Sequence, residues 1–114
     1  MKNTHWMASL ALIVSLVAAP TTALCASAEK GKVAYVKNGC WQCHGFVGQG
    51  GVTGPKLAPD PKPSEFISVF VRHSNGPMPP YTETILSDQD LADIYAYLQS
   101  IPKSADYKSI RLLD

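Results

Sequence analysis

Residues 40 to 44 read Cys40-Trp41-Gln42-Cys43-His44, and the interpretation of the whole chain starts from this stretch. Its two thiols are three positions apart, and the imidazole of His44 follows the second thiol directly. The 114-residue sequence has one further cysteine, Cys25. A disulfide between residues three apart closes a loop too small to restrain the unfolded chain appreciably. The pair is therefore expected to have a chemical role.

The chain begins with the pattern of a secretory signal peptide. Lys2 precedes a weakly polar to apolar stretch of 13 residues from Met7 to Ala19, and such a stretch is shorter than the ~20 residues needed to cross a bilayer. Pro20 interrupts it, and small residues follow. Ala26-Ser27-Ala28 fits a small-x-small cleavage site, so we predict that residues 1–28 are a cleaved signal peptide.

The mature domain would then consist of residues 29–114, located in the periplasm and without a membrane-spanning segment. Cleavage after Ala26 or Ala23 is an alternative, as is an uncleaved leader that acts as a membrane anchor. Lipidation of Cys25 is disfavoured because Leu24 stands where a small residue is required.

The charge balance excludes some classes of partner. Lysine and arginine number 10 and the acids 9, for a net charge of +1. Loss of Lys2 with the leader leaves nine of each. Such a balance provides no excess of basic residues with which the chain could bind nucleic acid. The 86 residues from 29 to 114 bury only a modest core, and chains of that size are often stabilised by a metal, disulfides or a cofactor.

The sequence around the cysteine pair distinguishes among the roles that two such cysteines could have. A redox-active dithiol is expected between a strand and a helix, and the chain shows little strand pattern. A structural zinc ion usually needs four ligands, and the mature chain adds only His73 to the motif. A simple disulfide leaves His44 unexplained. Cys-x-x-Cys-His is the attachment signature of c-type haem, so we predict that Cys40, Cys43 and His44 hold one covalently bound haem c, with His44 on the iron.

A second axial ligand is needed if the iron is to transfer electrons without binding other molecules. Met78 lies in Gly76-Pro77-Met78-Pro79-Pro80, where the prolines fix the backbone and hold the thioether in one direction. Thioether ligation also raises the reduction potential of the iron. The alternatives are a packing role for Met78 and ligation by His73. His73 is expected at a helix end, where a surface position or a position near a haem carboxylate is preferred to ligation.

Local patterns predict three helices and one long loop. The first helix covers Glu29 to Asn38 and stops at Gly39. The second is capped by Ser64 and runs through His73, and the third is capped by Ser87 and closed by Pro102. Five glycines and four prolines between Gly45 and Pro63 predict the loop. The expected inward-facing residues are Phe66, Ile67, Phe70 and Val71 of the second helix and Leu91, Ile94, Tyr95, Leu98 and Ile101 of the third.

Four segments together resemble class I cytochrome c, of the small bacterial periplasmic type with a single haem. They are Cys40-Trp41-Gln42-Cys43-His44-Gly45, Gly54-Pro55-Lys56-Leu57, Met78-Pro79-Pro80-Tyr81 and the C-terminal amphipathic helix. The resemblance implies an all-α fold of three to four helices wrapped around the haem, with the N- and C-terminal helices crossing near Gly31. It also implies that the Pro55 carbonyl orients the His44 ring. One departure is that Tyr35 stands five residues before Cys40 rather than four, with Gly39 as the extra residue.

Aromatic residues and one arginine are further candidates for contact with the haem. We expect Trp41 and Phe46 to shield it, and we expect the three tyrosines 81, 95 and 97 to be core or haem-edge residues. Arg72 is expected either to pair with a haem propionate or to be a solvated residue at a helix end.

The resemblance implies a one-electron carrier rather than an enzyme. Its donor would be a dehydrogenase or a quinol-oxidising complex, and its acceptor a terminal oxidase or reductase. The alternatives are a fixed cytochrome subunit of a periplasmic dehydrogenase complex and an open-site haem sensor or peroxidatic protein. The chain would be a monomer or a subunit of a complex.

Overall fold

The computed structural model describes residues 25–105 and residue 109. The described chain forms four α-helices and no strand: α1 (Ala28–Lys37), α2 (Cys40–His44), α3 (Ser64–His73) and α4 (Asp88–Ser100). The all-α prediction is confirmed. Most of the predicted signal peptide and most of the tail after Ala105 lie outside the described residues.

The two helices that cross each other begin at side-chain caps. Ser27 accepts a hydrogen bond from the Lys30 amide at the start of α1, and Ser87 accepts one from the Asp90 amide at 3.0 Å at the start of α4. Such caps satisfy amides that the first helical turn leaves without a partner. The prediction for Ser87 is confirmed. Ser64 was expected to cap α3 and instead is its first helical residue, because Pro63 occupies the cap position.

The core lies where α1 crosses α4, and most of its residues come from these two helices. The buried apolar residues are Ala34, Tyr35, Ala58, Leu86, Leu91, Ile94, Tyr97 and Leu98. Gly31 makes the crossing close, because a Cβ at that position would overlap the carbonyl oxygen of Asp93. The crossing near Gly31 that the family resemblance implied is confirmed.

The extra residue between Tyr35 and the cysteine pair is absorbed at one point. Gly39 has φ +75°, a left-handed conformation that favours glycine. The chain turns sharply there from α1 into α2, and Tyr35 remains fully buried beneath it. The departure from the family spacing therefore leaves the packing of α1 intact.

The predicted inward stripe of α3 is wrong for its two phenylalanines. Ile67 and Val71 are half-buried, whereas Phe66 and Phe70 are 60% and 52% exposed. The phenylalanine rings stack on each other with centroids 6.4 Å apart. Each phenylalanine precedes its aliphatic neighbour by one residue, a rotation of about 100° around the helix, so the two pairs lie on different sides of α3.

Replacement of Gly31 by alanine is expected to destabilise the fold, although alanine is the better helix former. The added methyl group meets the Asp93 backbone, which shifts only if the two helices separate. Overpacking of this kind costs about 1–3 kcal/mol. Gly76→Ala is the matched control, since a Cβ there has nothing within 4 Å. Guanidinium unfolding of both variants measures the difference; equal stabilities would contradict the tight crossing.

Candidate haem-attachment site

The cysteine pair lies on α2, the short helix that follows α1. Residues three apart on a helix share a face, so Cys40 and Cys43 are presented together on the same side of α2. Both are free thiols. Cys43 is exposed and Cys40 is half-buried. The geometry suits two bonds to one edge of a flat ring.

The orientation of His44 is fixed by a backbone carbonyl. The ring is 7% exposed, and its Nδ1 lies 2.8 Å from the carbonyl oxygen of Pro55. Since a carbonyl oxygen only accepts, Nδ1 carries the proton and Nε2 keeps its lone pair. The Pro55 contact that the family resemblance implied is confirmed. A histidine held in this way is ready to bind a metal through Nε2.

Gly54 allows the proline segment to approach the histidine this closely. A Cβ on Gly54 would lie 2.6 Å from the Cys43 carbonyl oxygen and 2.9 Å from Nδ1 of His44. A side chain at this position would therefore push the Pro55 carbonyl away from the ring.

Three tyrosine hydroxyls hold the backbone on either side of the cysteine pair. Tyr81 donates to the carbonyl oxygen of Asn38 at 3.0 Å. Beyond α2, the carbonyl of Gly45 accepts from Tyr35 at 2.8 Å and that of Phe46 accepts from Tyr97 at 3.0 Å. We call Tyr35, Tyr81 and Tyr97 the tyrosine clamp. This role was not predicted, because nothing in the local pattern of residues shows which distant carbonyl a tyrosine hydroxyl reaches.

Trp41 and Phe46 contact each other. Their rings stack with centroids 4.7 Å apart and an interplanar angle of 11°. Phe46 remains 61% exposed, and Trp41 packs at the edge of the core. The pair forms an apolar wall beside α2, and its expected role as a shield for the haem stays a prediction.

Arg72 closes the connection between α3 and α4, a role that the sequence analysis missed. Its guanidinium donates to the carbonyl oxygens of Tyr81 and Leu86 at 2.8 and 2.7 Å. It also forms an ion pair with Asp88 at 2.6 Å, and its side chain is only 11% exposed. The expectation of a solvated arginine is therefore wrong, because three acceptors enclose the group.

Met78 lies in the connection that Arg72 closes. The residue is half-buried. Three residues later, the Tyr81 amide donates to the Val71 carbonyl at 2.9 Å, and the Tyr81 hydroxyl reaches Asn38, two residues before Cys40. This part of the connection is thus tied directly to the segment that leads into α2.

The competing metal site has no support within residues 25–105. No group of three or more histidine, cysteine or acidic side chains in that range is placed to hold a metal ion. His73, the candidate fourth zinc ligand, is exposed at the end of α3.

The described helices also include none that is long and apolar enough to cross a membrane.

Burial keeps Cys40 protonated in the haem-free chain. Desolvation, only partly offset by a backbone hydrogen bond, raises the pKa of its thiol to about 11. The pKa of the Tyr35 hydroxyl is raised by burial and, to a lesser extent, by the nearby Cys40. Both groups are therefore neutral at physiological pH, and Tyr35 keeps the proton that it donates to Gly45.

The all-α fold, with its crossing terminal helices and its Cys-x-x-Cys-His helix, defines a c-type cytochrome. The family described as cytochrome c oxidase, cbb3-type, subunit III matches residues 26–98, and the chain belongs to this family. Its cofactor is covalently attached haem c, and class I single-haem cytochromes are consistent with the match. No curated protein and no solved structure matches the chain.

The described residues fit this cofactor. Two free thiols on one helix face supply the attachment points. One buried imidazole has its Nδ1 occupied, so that Nε2 remains for iron. Gly54 provides the close approach that this arrangement needs.

Tyr97→Phe tests the tyrosine clamp. The variant keeps the buried ring and leaves the Phe46 carbonyl without its donor, so we expect a loss of about 1 kcal/mol in the free energy of unfolding. Tyr95→Phe is the control, because the Tyr95 hydroxyl has no hydrogen-bond partner among residues 25–105. Denaturant unfolding of both holoproteins measures the loss, and equal costs would contradict the clamp.

The two thiols are expected to differ in reactivity before haem is attached. The thiolate is the nucleophile, and at pH 8 a thiol with a pKa of about 11 is ionised in roughly one molecule in a thousand. Iodoacetamide should therefore modify exposed Cys43 well before Cys40 in the folded, haem-free chain. The rate at Cys40 should rise with pH until pH 11 is reached. Peptide mass spectrometry measures both rates, and faster modification of Cys40 at pH 8 would contradict the assignment.

Proposed function

We propose that this chain is an exported single-haem electron carrier whose iron is bound by His44 and Met78. The observation that carries the proposal is the His44 ring, which is buried, oriented by Pro55 and left with Nε2 as its metal-binding atom. Cys40 and Cys43 would form the thioether bonds on the same face of α2. When bound, haem c supplies an iron that alternates between the ferric and ferrous states.

The second ligand is proposed from the way in which the Met78 segment is held. Both ends of the connection are fixed, since Arg72 binds the carbonyls of Tyr81 and Leu86 and Tyr81 binds Asn38. A segment held at these points loses little further entropy when its thioether is placed. The thioether would stabilise the ferrous state and close the second axial position to other molecules.

The polypeptide would contribute orientation and the exclusion of water. The tyrosine clamp fixes the backbone on both sides of α2, and Trp41 with Phe46 provides an apolar wall beside it. A site whose backbone is held by these hydrogen bonds reorganises little when its charge changes by one. Such a site suits electron transfer better than bond-breaking chemistry.

The partners are proposed to be other redox proteins. A dehydrogenase or a quinol-oxidising complex would donate the electron, and a terminal oxidase or reductase would accept it. The near-equal numbers of acidic and basic residues favour docking through a local patch over long-range steering. The predicted leader and its cleavage would locate this exchange in the periplasm.

A fixed subunit is a second candidate, because the family is described as a subunit of a cbb3-type oxidase. In that arrangement the chain would pass electrons within one assembly. Purification of the tagged protein from its native membranes under mild conditions distinguishes the two. Stoichiometric recovery of a large oxidoreductase supports the subunit, and release of the cytochrome alone supports the carrier.

Met78→Leu tests the thioether ligand. Leucine keeps the apolar volume and removes the sulfur, so a packing role would survive the change while a ligand would be lost. We expect a lower reduction potential, loss of the weak long-wavelength absorption band of ferric thioether-ligated haem, and carbon monoxide binding to the ferrous protein. Absorption spectroscopy and a redox titration provide the readouts.

Two controls accompany this variant. Ile85→Ala changes an exposed aliphatic residue of the same connection, and His73→Ala removes the other candidate ligand. Both should retain the potential and spectrum of the unchanged protein. An unaltered spectrum in Met78→Leu would remove Met78 from the ligands, and rapid carbon monoxide binding by the unchanged protein would favour an open-site sensor or peroxidatic protein.

A further inference from the structure

The start of α1 is bound to a buried carboxylate on α4. The Ser27 amide nitrogen donates to Oδ1 of Asp93 at 2.7 Å. The Gln89 side-chain amide donates to the same oxygen at 2.9 Å. Asp93 is only 2% exposed, which makes it one of the most deeply buried side chains of the described chain.

Asp93 has no cationic partner among residues 25–105. The ion pairs in this range are Arg72 with Asp88 and Lys103 with Asp60. A buried carboxylate is costly unless it is paired and hydrogen-bonded. Two neutral N–H donors supply the hydrogen bonds but not the opposite charge.

The position of leader cleavage determines which chemical group lies against the Asp93 carboxylate. Cleavage after Ala28, the site expected from the small-x-small pattern, removes Ser27. That product loses the 2.7 Å donor to Asp93 and also the hydroxyl that accepts from the Lys30 amide. Cleavage after Ala26 retains both contacts. It also converts the nitrogen that already lies against the carboxylate into a terminal amine.

We propose that the leader is cleaved between Ala26 and Ser27, and that the new α-ammonium of Ser27 pairs with the buried Asp93 carboxylate. Hydrolysis adds hydroxyl to the Ala26 carbonyl carbon and hydrogen to the Ser27 nitrogen, which then takes up a proton from solvent. Ala26 is a small residue directly before the cut, whereas Leu24 occupies the other position at which the small-x-small pattern has a small residue, so the proposal rests on the Asp93 contact and not on that pattern. The positive end of the α1 dipole lies at the same place, where it favours the Asp93 carboxylate and disfavours the ammonium, so the support for the pair is the 2.7 Å contact.

This inference rests on the export step of the proposed function, and the first residue of the mature protein tests it. The full-length gene is expressed in a host that exports proteins and attaches haem, and the purified cytochrome is examined by N-terminal sequencing and intact mass. The expected sequence is Ser-Ala-Glu-Lys-Gly. A start at Glu29, Ala26 or Leu24 overturns the inference and leaves export standing, whereas an uncleaved chain overturns both.

A second experiment tests the ion pair itself. The mature chain is fused behind an unrelated leader so that it begins at Ser27 or at Ala26, and Asp93→Asn is introduced into each form. Asn retains the shape and removes the charge. We expect Asp93→Asn to lower the guanidinium midpoint more in the chain that begins at Ser27, because that form alone has the ammonium beside residue 93.

Asp90→Asn is the control substitution, since Asp90 lies on the same helix and is exposed. It should shift the midpoint equally in both forms. Equal shifts from Asp93→Asn in the two forms would overturn the ion pair. If Asp93→Asn prevents folding in both forms, the sequencing result alone decides the inference.

Discussion

The close crossing of α1 and α4 is the constraint on which the rest of the structure depends. Gly31 allows the two backbones to touch, and the crossing brings the rings of Tyr35 and Tyr97 to 5.6 Å from each other. Their hydroxyls then reach the adjacent carbonyls of Gly45 and Phe46. The backbone that follows α2 is thus positioned by two helices that are distant in sequence. The orientation of His44 depends on this arrangement as well as on Pro55.

Local signals in the sequence were sufficient for much of the fold and for the centre of the site. The cysteine spacing identified the cofactor class, and a serine or a glycine marked several helix ends. Each of these features depends on residues that are close together in the sequence, so it can be recognised without knowledge of the tertiary structure. The His44 contact with Pro55 spans eleven residues, and it was found only because of the family resemblance.

The features that sequence reasoning missed depend on contacts between distant residues. Arg72 reads as a solvated residue at a helix end, yet its acceptors lie 9 to 16 positions further along the chain. Phe66 and Phe70 have the spacing of an inward stripe, but periodicity does not fix how far that stripe is rotated about the helix. Asp93 is passed over by any search for apolar residues, although it is among the most buried side chains.

The Arg72 contacts have a mechanical consequence for the connection between α3 and α4. The Arg72 side chain holds the two ends of this segment close together through hydrogen bonds. The segment is therefore a compact Ω-type loop that is closed by non-covalent contacts. The entropy of closing such a loop grows only with the logarithm of its length. Extra residues at Gly76, where the surroundings are open, would therefore cost the fold little. They would nevertheless shift Met78, two residues further along the chain, so the proposed thioether ligand limits the length of this loop more strictly than folding does.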